Sequence, residues 1–192
     1  MLPIEDQFTI TLTAARANAG WAFEWLFHTF APRVHGYLRS HGVTEPDEVT
    51  NDVFLAVFRS LDRFAGDEQA FRAWTFTIAR NRLVDEYRRQ ARRVRTVPGE
   101  DMVEYPEHAG GDVEAEALTN IGSEWAVDLI RRLAPDQRDV LLLRILADLT
   151  IDQIADVVGK RPGAVKALQR RGLAAAKRIL EQGVPQGRPI DV

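Results

Sequence analysis

The stretch LAPDQRDVLLLRILADLTIDQIADVVGKRPGAVKALQRRGLAAAKRIL, residues 133–180, decides how the chain is read. Thr150 followed three residues later by Gln153 is a capping-box pattern, and Ile151, Ile154, Ala155 and Val158 form one apolar stripe. A short helix is therefore predicted over Ile151–Val158. Gly159 ends it and Lys160 and Arg161 make the turn. Pro162 suits the start of the next helix, where its missing N–H would be unpaired anyway. On that next helix, running to about Leu180, Leu168, Gly172 and Ala176 fall within about 60° of Val165, taking 100° per residue. Lys166, Ala167, Arg170, Arg171 and Ala174 point the other way. The pair is a helix-turn-helix with a basic outward face. Ala167 is small enough to let the backbone approach base edges, and Lys166 or Arg170 can reach guanine O6 and N7 or phosphate oxygens. A plain amphipathic hairpin with solvated charges is the alternative; caps, turn length, stripe and outward charge agree better with DNA. Two helices lead into the motif, from Trp125 to Leu133 and from Asp136 to Ala147.

Working outward, charge is strongly segregated although the net value is only −3. Residues 131–181 carry eleven Lys or Arg against six acids, a net +5, and residues 71–95 carry eight Arg against Asp85 and Glu86, a net +6. Between them, residues 96–124 hold eight acids and no Lys or Arg. That bridge contains Pro98, Gly99, Pro106, Gly110 and Gly111 and little periodicity, so it is expected to be a flexible, self-repelling linker. The first 65 residues add a net −3. With no cysteine, neither disulfides nor thiolate metal sites can staple the small cores, and helix packing must stabilise them.

Before the bridge, apolar residues recur at three and four, with strand-like alternation confined to Phe8, Ile10 and Leu12. The class is all-α: two small helical domains, residues 1–95 and 124–182, around the linker 96–123, with a frayed tail over 183–192. A first helix is predicted over Ile10–Asn18 with Gly20 as a break, and a second over Trp21 to about Ser40, stopped by Gly42. Thr44 or Asp47 can cap a third, whose Val49, Val53, Val57 and Leu61 pack while Asp47, Glu48, Asn51 and Asp52 stay polar. A loop over residues 63–69 precedes a fourth helix from Ala70 to about Arg93.

That fourth helix narrows the function. Phe76, Ala79, Leu83 and Tyr87 make one stripe; Trp74, Ile78, Asn81, Asp85, Arg88 and Arg89 make the opposite one. The second face combines an aromatic plane, an amide able to donate and accept, and two guanidinium groups, which suits separated DNA strands. For Trp74 and Ile78, burial in a helix packed on both sides competes with that role.

The run PDEVTNDVFLAVFRSLDRFAGDEQAFRAWTFTIARNRLVDEYRRQ, residues 46–90, resembles region 2 of the sigma-70 family, and residues 133–180 resemble region 4. With only a linker between them, the chain resembles a group IV, extracytoplasmic-function sigma factor of bacterial RNA polymerase. The resemblance implies a promoter-directing, minus-ten-melting subunit that is not an enzyme and needs no cofactor. Its implied partners are core RNA polymerase, through the β′ coiled coil and the β flap, promoter DNA and an anti-sigma factor. It implies that Asp47, Glu48, Asn51, Asp52 and Phe54 dock on the β′ coiled coil and that the loop Phe64–Ala70, with Asp67, captures a flipped base. Trp74, Asn81, Asp85, Arg88 and Arg89 are implied to hold the melted minus-ten element. Lys160, Arg161, Ala164, Lys166, Ala167, Arg170 and Arg171 are implied to face the minus-thirty-five element, and the acidic linker to thread the polymerase. Two positions depart from the family: Asn51-Asp52 stands where Gln-Glu is common, and Arg161 where a Ser or Thr often caps the recognition helix.

Two other readings remain: an autonomous helix-turn-helix regulator with an N-terminal helical sensor, and a helical interaction module that binds no DNA. His28, His35, His41 and His108 form no ligand set at metal spacing, and neither a phosphate loop nor a serine elbow appears. The N-terminus lacks secretory character and no run is long enough for a membrane span, so a cytoplasmic protein is expected, nucleoid-associated when active and held at the membrane when an anti-sigma factor retains it.

Overall fold

The computed structural model describes residues 4–96 and 124–183. Most of the acidic bridge and most of the tail therefore lie outside the described residues, as do the expectations placed on them. All described regular structure is helical: α1 (Ile4–Arg16), α2 (Gly20–Ser40), α3 (Pro46–Arg59), a 3-10 turn (Leu61–Arg63), α4 (Glu68–Thr96), α5 (Glu124–Arg131), α6 (Pro135–Ile145), α7 (Ile151–Val158) and α8 (Pro162–Gly183). No helix among them is long and apolar enough to cross a membrane.

The apparent alternation at Phe8, Ile10 and Leu12 lies inside α1, which begins well before the expected Ile10. Phe8, Leu12 and Ala15 are buried at helical spacing while Ile10 is exposed, so the second apolar residue of that triplet misled the period. The break comes at Asn18, whose φ of 62° places it in the left-handed region that Asn tolerates, and Gly20 already belongs to α2. Neither Thr44 nor Asp47 caps α3. Glu45 occupies that position without a side-chain cap, Pro46 opens the helix, and Asp47 and Glu48 fill the first turn, where the helix dipole favours acids.

Phe71, fully buried on α4, is the hub of the first bundle. Its ring lies 5.4 Å from Phe8, 5.1 Å from Phe30, 5.4 Å from Phe64 and 5.7 Å from Trp74, tying α1, α2 and the α3–α4 loop to α4. Arg16 closes the same corner by donating to the Phe64 carbonyl.

In the second bundle the capping box forms in full. The Gln153 amide donates to Thr150 Oγ1 at 3.3 Å and the Thr150 amide to Gln153 Oε1 at 2.9 Å. Gly159, at φ 67°, ends α7 in the left-handed conformation. Gly172 lets α8 lie close on α6, since a Cβ there would meet Leu141 Cδ1 at 3.0 Å. The two bundles also pack on each other. α4 lies against α7 and α2 against α5, so one continuous apolar core runs from Phe8 to Leu168.

Candidate nucleic-acid interface

The α8 surface has the polarity its sequence implies. Val165, Leu168 and Gly172 are buried, Ala176 is half-buried, and Lys166, Arg170 and Arg171 are exposed beside half-buried Ala167. Arg171 folds back on its own helix, its Nε 3.3 Å from the Ala167 carbonyl. In the turn, Arg161 and Ala164 are exposed, whereas Lys160 is held by Asp136 at 3.0 Å. Lys160 therefore offers less free charge than its neighbours. At the start of α8 the Arg161 carbonyl accepts the Ala164 and Val165 amides.

On α4, Asn81 and Asp85 are exposed, and Arg88 and Arg89 reach out beside Asp85 and Glu86 at 3.5 Å each. Contacts this exposed are weak and leave both guanidinium groups exchangeable. Trp74 and Ile78 are half-buried against the core, and one face of Trp74 stacks on Phe64, with centroids 5.1 Å apart and planes 23° apart. Only the opposite face and edge of that indole remain for a base. Phe64 is buried, so it positions Trp74 from beneath. Asp67 accepts the Ala70 amide at 2.8 Å, which caps α4 and starts it two residues earlier than the expected Ala70.

The third surface is acidic. Asp47, Glu48, Asn51 and Asp52 are all exposed on α3, with His35 Nε2 3.4 Å from Asp47. A hydrogen bond with Glu45 and the charges of Glu45 and Asp52 hold the Glu48 carboxyl above its usual pKa, a sign of crowded negative charge. A groove of about 250 Å³, floored by Phe27, Ala31 and Pro32, opens beside Asp47 and Asn51. Phe54 is a correction: it is 1% exposed, packed 5.0 Å from Phe27, and supports the face from inside rather than touching a partner. Leu55, 49% exposed one residue on, stands on the outside.

Residues 26–93 match the Sigma-70 region 2 family and residues 123–175 the Sigma-70 region 4 family, in that order. The chain belongs to the sigma-70 family. Among its relatives is the ECF RNA polymerase sigma factor BldN of Streptomyces coelicolor, 31% identical over 169 residues, which covers 86% of this chain and 63% of BldN. The chain thus spans less than two thirds of BldN's length. ShbA of Streptomyces griseus, another ECF sigma factor, is 31% identical over 71% of this chain and 72% of its own length. CnrH of Cupriavidus metallidurans is 32% identical over 90% of this chain and 93% of its own. CnrH solved with the cytosolic domain of CnrY shares the fold at a TM-score of 0.64 and 22% identity, covering 91% of this chain and 97% of that one. The sigma factor RpoE solved with the anti-sigma factor NepR from Bartonella quintana also scores 0.64, at 18% identity over 84% and 98%. These relatives set the chain in the extracytoplasmic-function class of the sigma-70 family.

Within this sigma fold, one polar group of residues had no signal in the local sequence. Asp139 of α6 is buried where the bundles meet. Tyr37 Oη donates to its Oδ1 at 2.6 Å, Arg80 Nε donates to its Oδ2 at 2.8 Å, and His41 Nε2 lies 3.6 Å from Oδ1. Burial, and then the Asp139 charge, push the Tyr37 phenol well above 10. Burial pushes the His41 imidazole down from 6.5 to about 4; Asp139 opposes the shift while Arg138 and Arg80 reinforce it. His41 therefore stays neutral in the folded chain at a pH where the unfolded chain binds its proton. Stability is intact above about pH 6.5 and is lost progressively as pH falls from there towards about 4. Between pH 7 and pH 5 this one group is expected to cost about 2 kcal/mol. Denaturant melts should show that part of the acid sensitivity removed in His41→Asn; an identical pH dependence in both proteins would exclude His41 as its source. Among the described residues, no three His, Asp or Glu side chains gather as a metal site.

Proposed function

We propose that this chain is a promoter-specificity subunit: it binds core RNA polymerase, carries it to particular promoters and helps open the minus-ten element. The observation that carries the reading is the pair of matched segments, region 2 then region 4, each with an exposed face suited to its partner. The α3 acids, with exposed Leu55 one turn beyond Asn51 and Asp52, make a surface for a basic partner helix such as the β′ coiled coil. Arg88 and Arg89 hold phosphates of the separated non-template strand while Asn81 and the free face of Trp74 meet its bases. Arg161, Ala164, Lys166, Ala167, Arg170 and Arg171 read or hold the minus-thirty-five duplex through the major groove, and the region 4 bundle docks on the β flap.

The protein works by binding, in the cytoplasm, and an anti-sigma factor holds it inactive, a reading supported by the sigma factor RpoE having been solved with the anti-sigma factor NepR. Purified protein added to core polymerase should yield promoter-specific transcripts from genomic templates. No transcript, together with no co-purification with core, would sink the reading. An autonomous regulator would instead bind its promoter tightly without polymerase. Asn81→Ala is expected to slow strand opening about tenfold and leave closed-complex affinity nearly unchanged; permanganate footprinting against filter binding separates the two, and equal losses would remove Asn81 from the melting face.

A further inference from the structure

The loop assigned to base capture is fixed at three points, and one of them comes from outside the segment that matches region 2. That match spans residues 26–93, whereas α1 ends at Arg16. Arg16 Nη2 donates to the Phe64 carbonyl from 48 residues away in sequence. Phe64 ends the 3-10 turn in extended backbone, φ −74° and ψ 135°, with its own amide bonded to the Leu61 carbonyl at 3.2 Å. The guanidinium thus fixes the peptide plane on which the chain enters the loop.

The second point is Gly66, whose φ of 149° strains any L side chain. A Cβ there would also meet Ala70 Cβ at 2.7 Å and Phe64 Cζ at 3.3 Å, so the loop backbone lies directly on the Phe64 ring. The third is Asp67, whose carboxylate accepts the Ala70 amide at 2.8 Å and whose carbonyl accepts the Phe71 amide at 2.9 Å. Beneath the loop, the Phe64 ring stacks on Trp74 and lies 5.4 Å from Phe71, which in turn lies 5.4 Å from Phe8 of α1. α1 therefore holds the loop twice, through the Arg16 hydrogen bond and through the aromatic cluster under it.

Arg16 is exposed as a whole, so burial does not oblige it to find a partner; the group it orders is the loop. A pocket for one unstacked base works best when formed in advance, because unstacking already costs energy and ordering the loop at the moment of binding would cost more. We propose that Arg16 is a positioning residue for base capture. Through the Phe64 carbonyl it holds the loop Phe64–Ala70 and the Phe64–Trp74 stack in the geometry that receives a base of the non-template strand. The functional part rests on the base-capture reading of that loop; the anchoring does not. Methionine at residue 16 keeps the helix and the apolar stem but has no donor, whereas lysine keeps a charged donor and should restore part of the effect.

Two measurements on the full chain test the assignment. In hydrogen exchange of the free protein, residues 64–71 should exchange about tenfold faster in Arg16→Met than in wild type, with α8 unchanged and Arg16→Lys in between. Holoenzyme affinity is then read on single-stranded minus-ten oligonucleotides carrying each of the four bases at each position in turn. Wild type should prefer one base at one position by about tenfold, and Arg16→Met should level that preference to about twofold while minus-thirty-five duplex binding stays as it was. Gly66→Ala, which displaces the same loop by strain, should level the same position. Equal exchange in wild type and Arg16→Met would overturn the assignment. So would a folded Arg16→Met that keeps the preference, or one that loses affinity alike at every position. If Arg16→Met loses helicity, Arg16→Gln is judged by the same two readings. A wild-type holoenzyme with no preference at any position would remove the base-capture reading, and the exchange rates would still decide whether Arg16 anchors the loop.

Discussion

Replacing Lys166, Arg170 and Arg171 together by alanine should weaken holoenzyme binding to a minus-thirty-five duplex about 100- to 1000-fold and flatten its salt dependence. All three side chains are exposed on the outward side of α8, and alanine is the strongest helix former, so the bundle should stay folded. Each cation that meets a phosphate releases condensed counterions, and three such contacts contribute nearly 3 to the slope of log affinity against log salt. If Arg170 also reads a guanine edge, its loss adds about 1–3 kcal/mol of discrimination at one base pair. The measurement is a salt titration of holoenzyme affinity, repeated on a duplex with a scrambled element. A uniform loss on both duplexes marks phosphate contacts, and a loss confined to the correct one marks base readout. Unchanged affinity and slope would exclude this face. Lys160 is left out of the set because Asp136 already occupies it.

This face was legible because each of its determinants is local. The capping box, the left-handed Gly159 and the proline at the head of α8 lie within thirteen residues of one another and fix both helices, so α7 ends where it was expected to. The α3 surface was legible except for one step along the helix. Phe54 was expected outside and Leu55 was overlooked, yet adjacent residues point about 100° apart, which exchanges a core position for a surface one. The loop before α4 hid a cap, because Asp67 bonds an amide three residues on and an acid in an acidic loop gives no sign of it. The seam between bundles was not legible at all. Tyr37 and Asp139 are 102 residues apart, and nothing near Asp139 distinguishes it from Asp136, the exposed acid of the same helix. Such a contact is specified by the packing of whole bundles, which local periodicity does not encode. The sequence also suggested two independent cores, whereas apolar residues of α4 and α7 meet in one.

Reversing charge at two points of the acidic face, Glu48→Lys with Asp52→Lys, should raise the dissociation constant for core polymerase about 100-fold while leaving thermal stability within a few degrees. The positions are four residues apart on α3, both fully outside the core, and nothing in the bundle depends on either carboxylate for packing. Folding effects nearly cancel. A cation in the first turn opposes the helix dipole, but Glu48→Lys also replaces the hydrogen bond and like charge shared with Glu45, which hold the Glu48 carboxyl above its usual pKa, by an attraction between opposite charges. Binding effects do not cancel, because each substitution turns an attraction for a basic helix into a repulsion. The loss should fall mostly on the association rate and shrink as salt rises, the signature of steering rather than of a lost apolar contact. Leu55→Ala gives the opposite signature, a faster dissociation rate with little salt dependence, because Leu55 is 49% exposed and burying it on a partner acts after encounter. Stopped-flow mixing of labelled factor with core polymerase at two salt concentrations reads both. Equal association rates for wild type and the double reversal would move the polymerase contact away from α3.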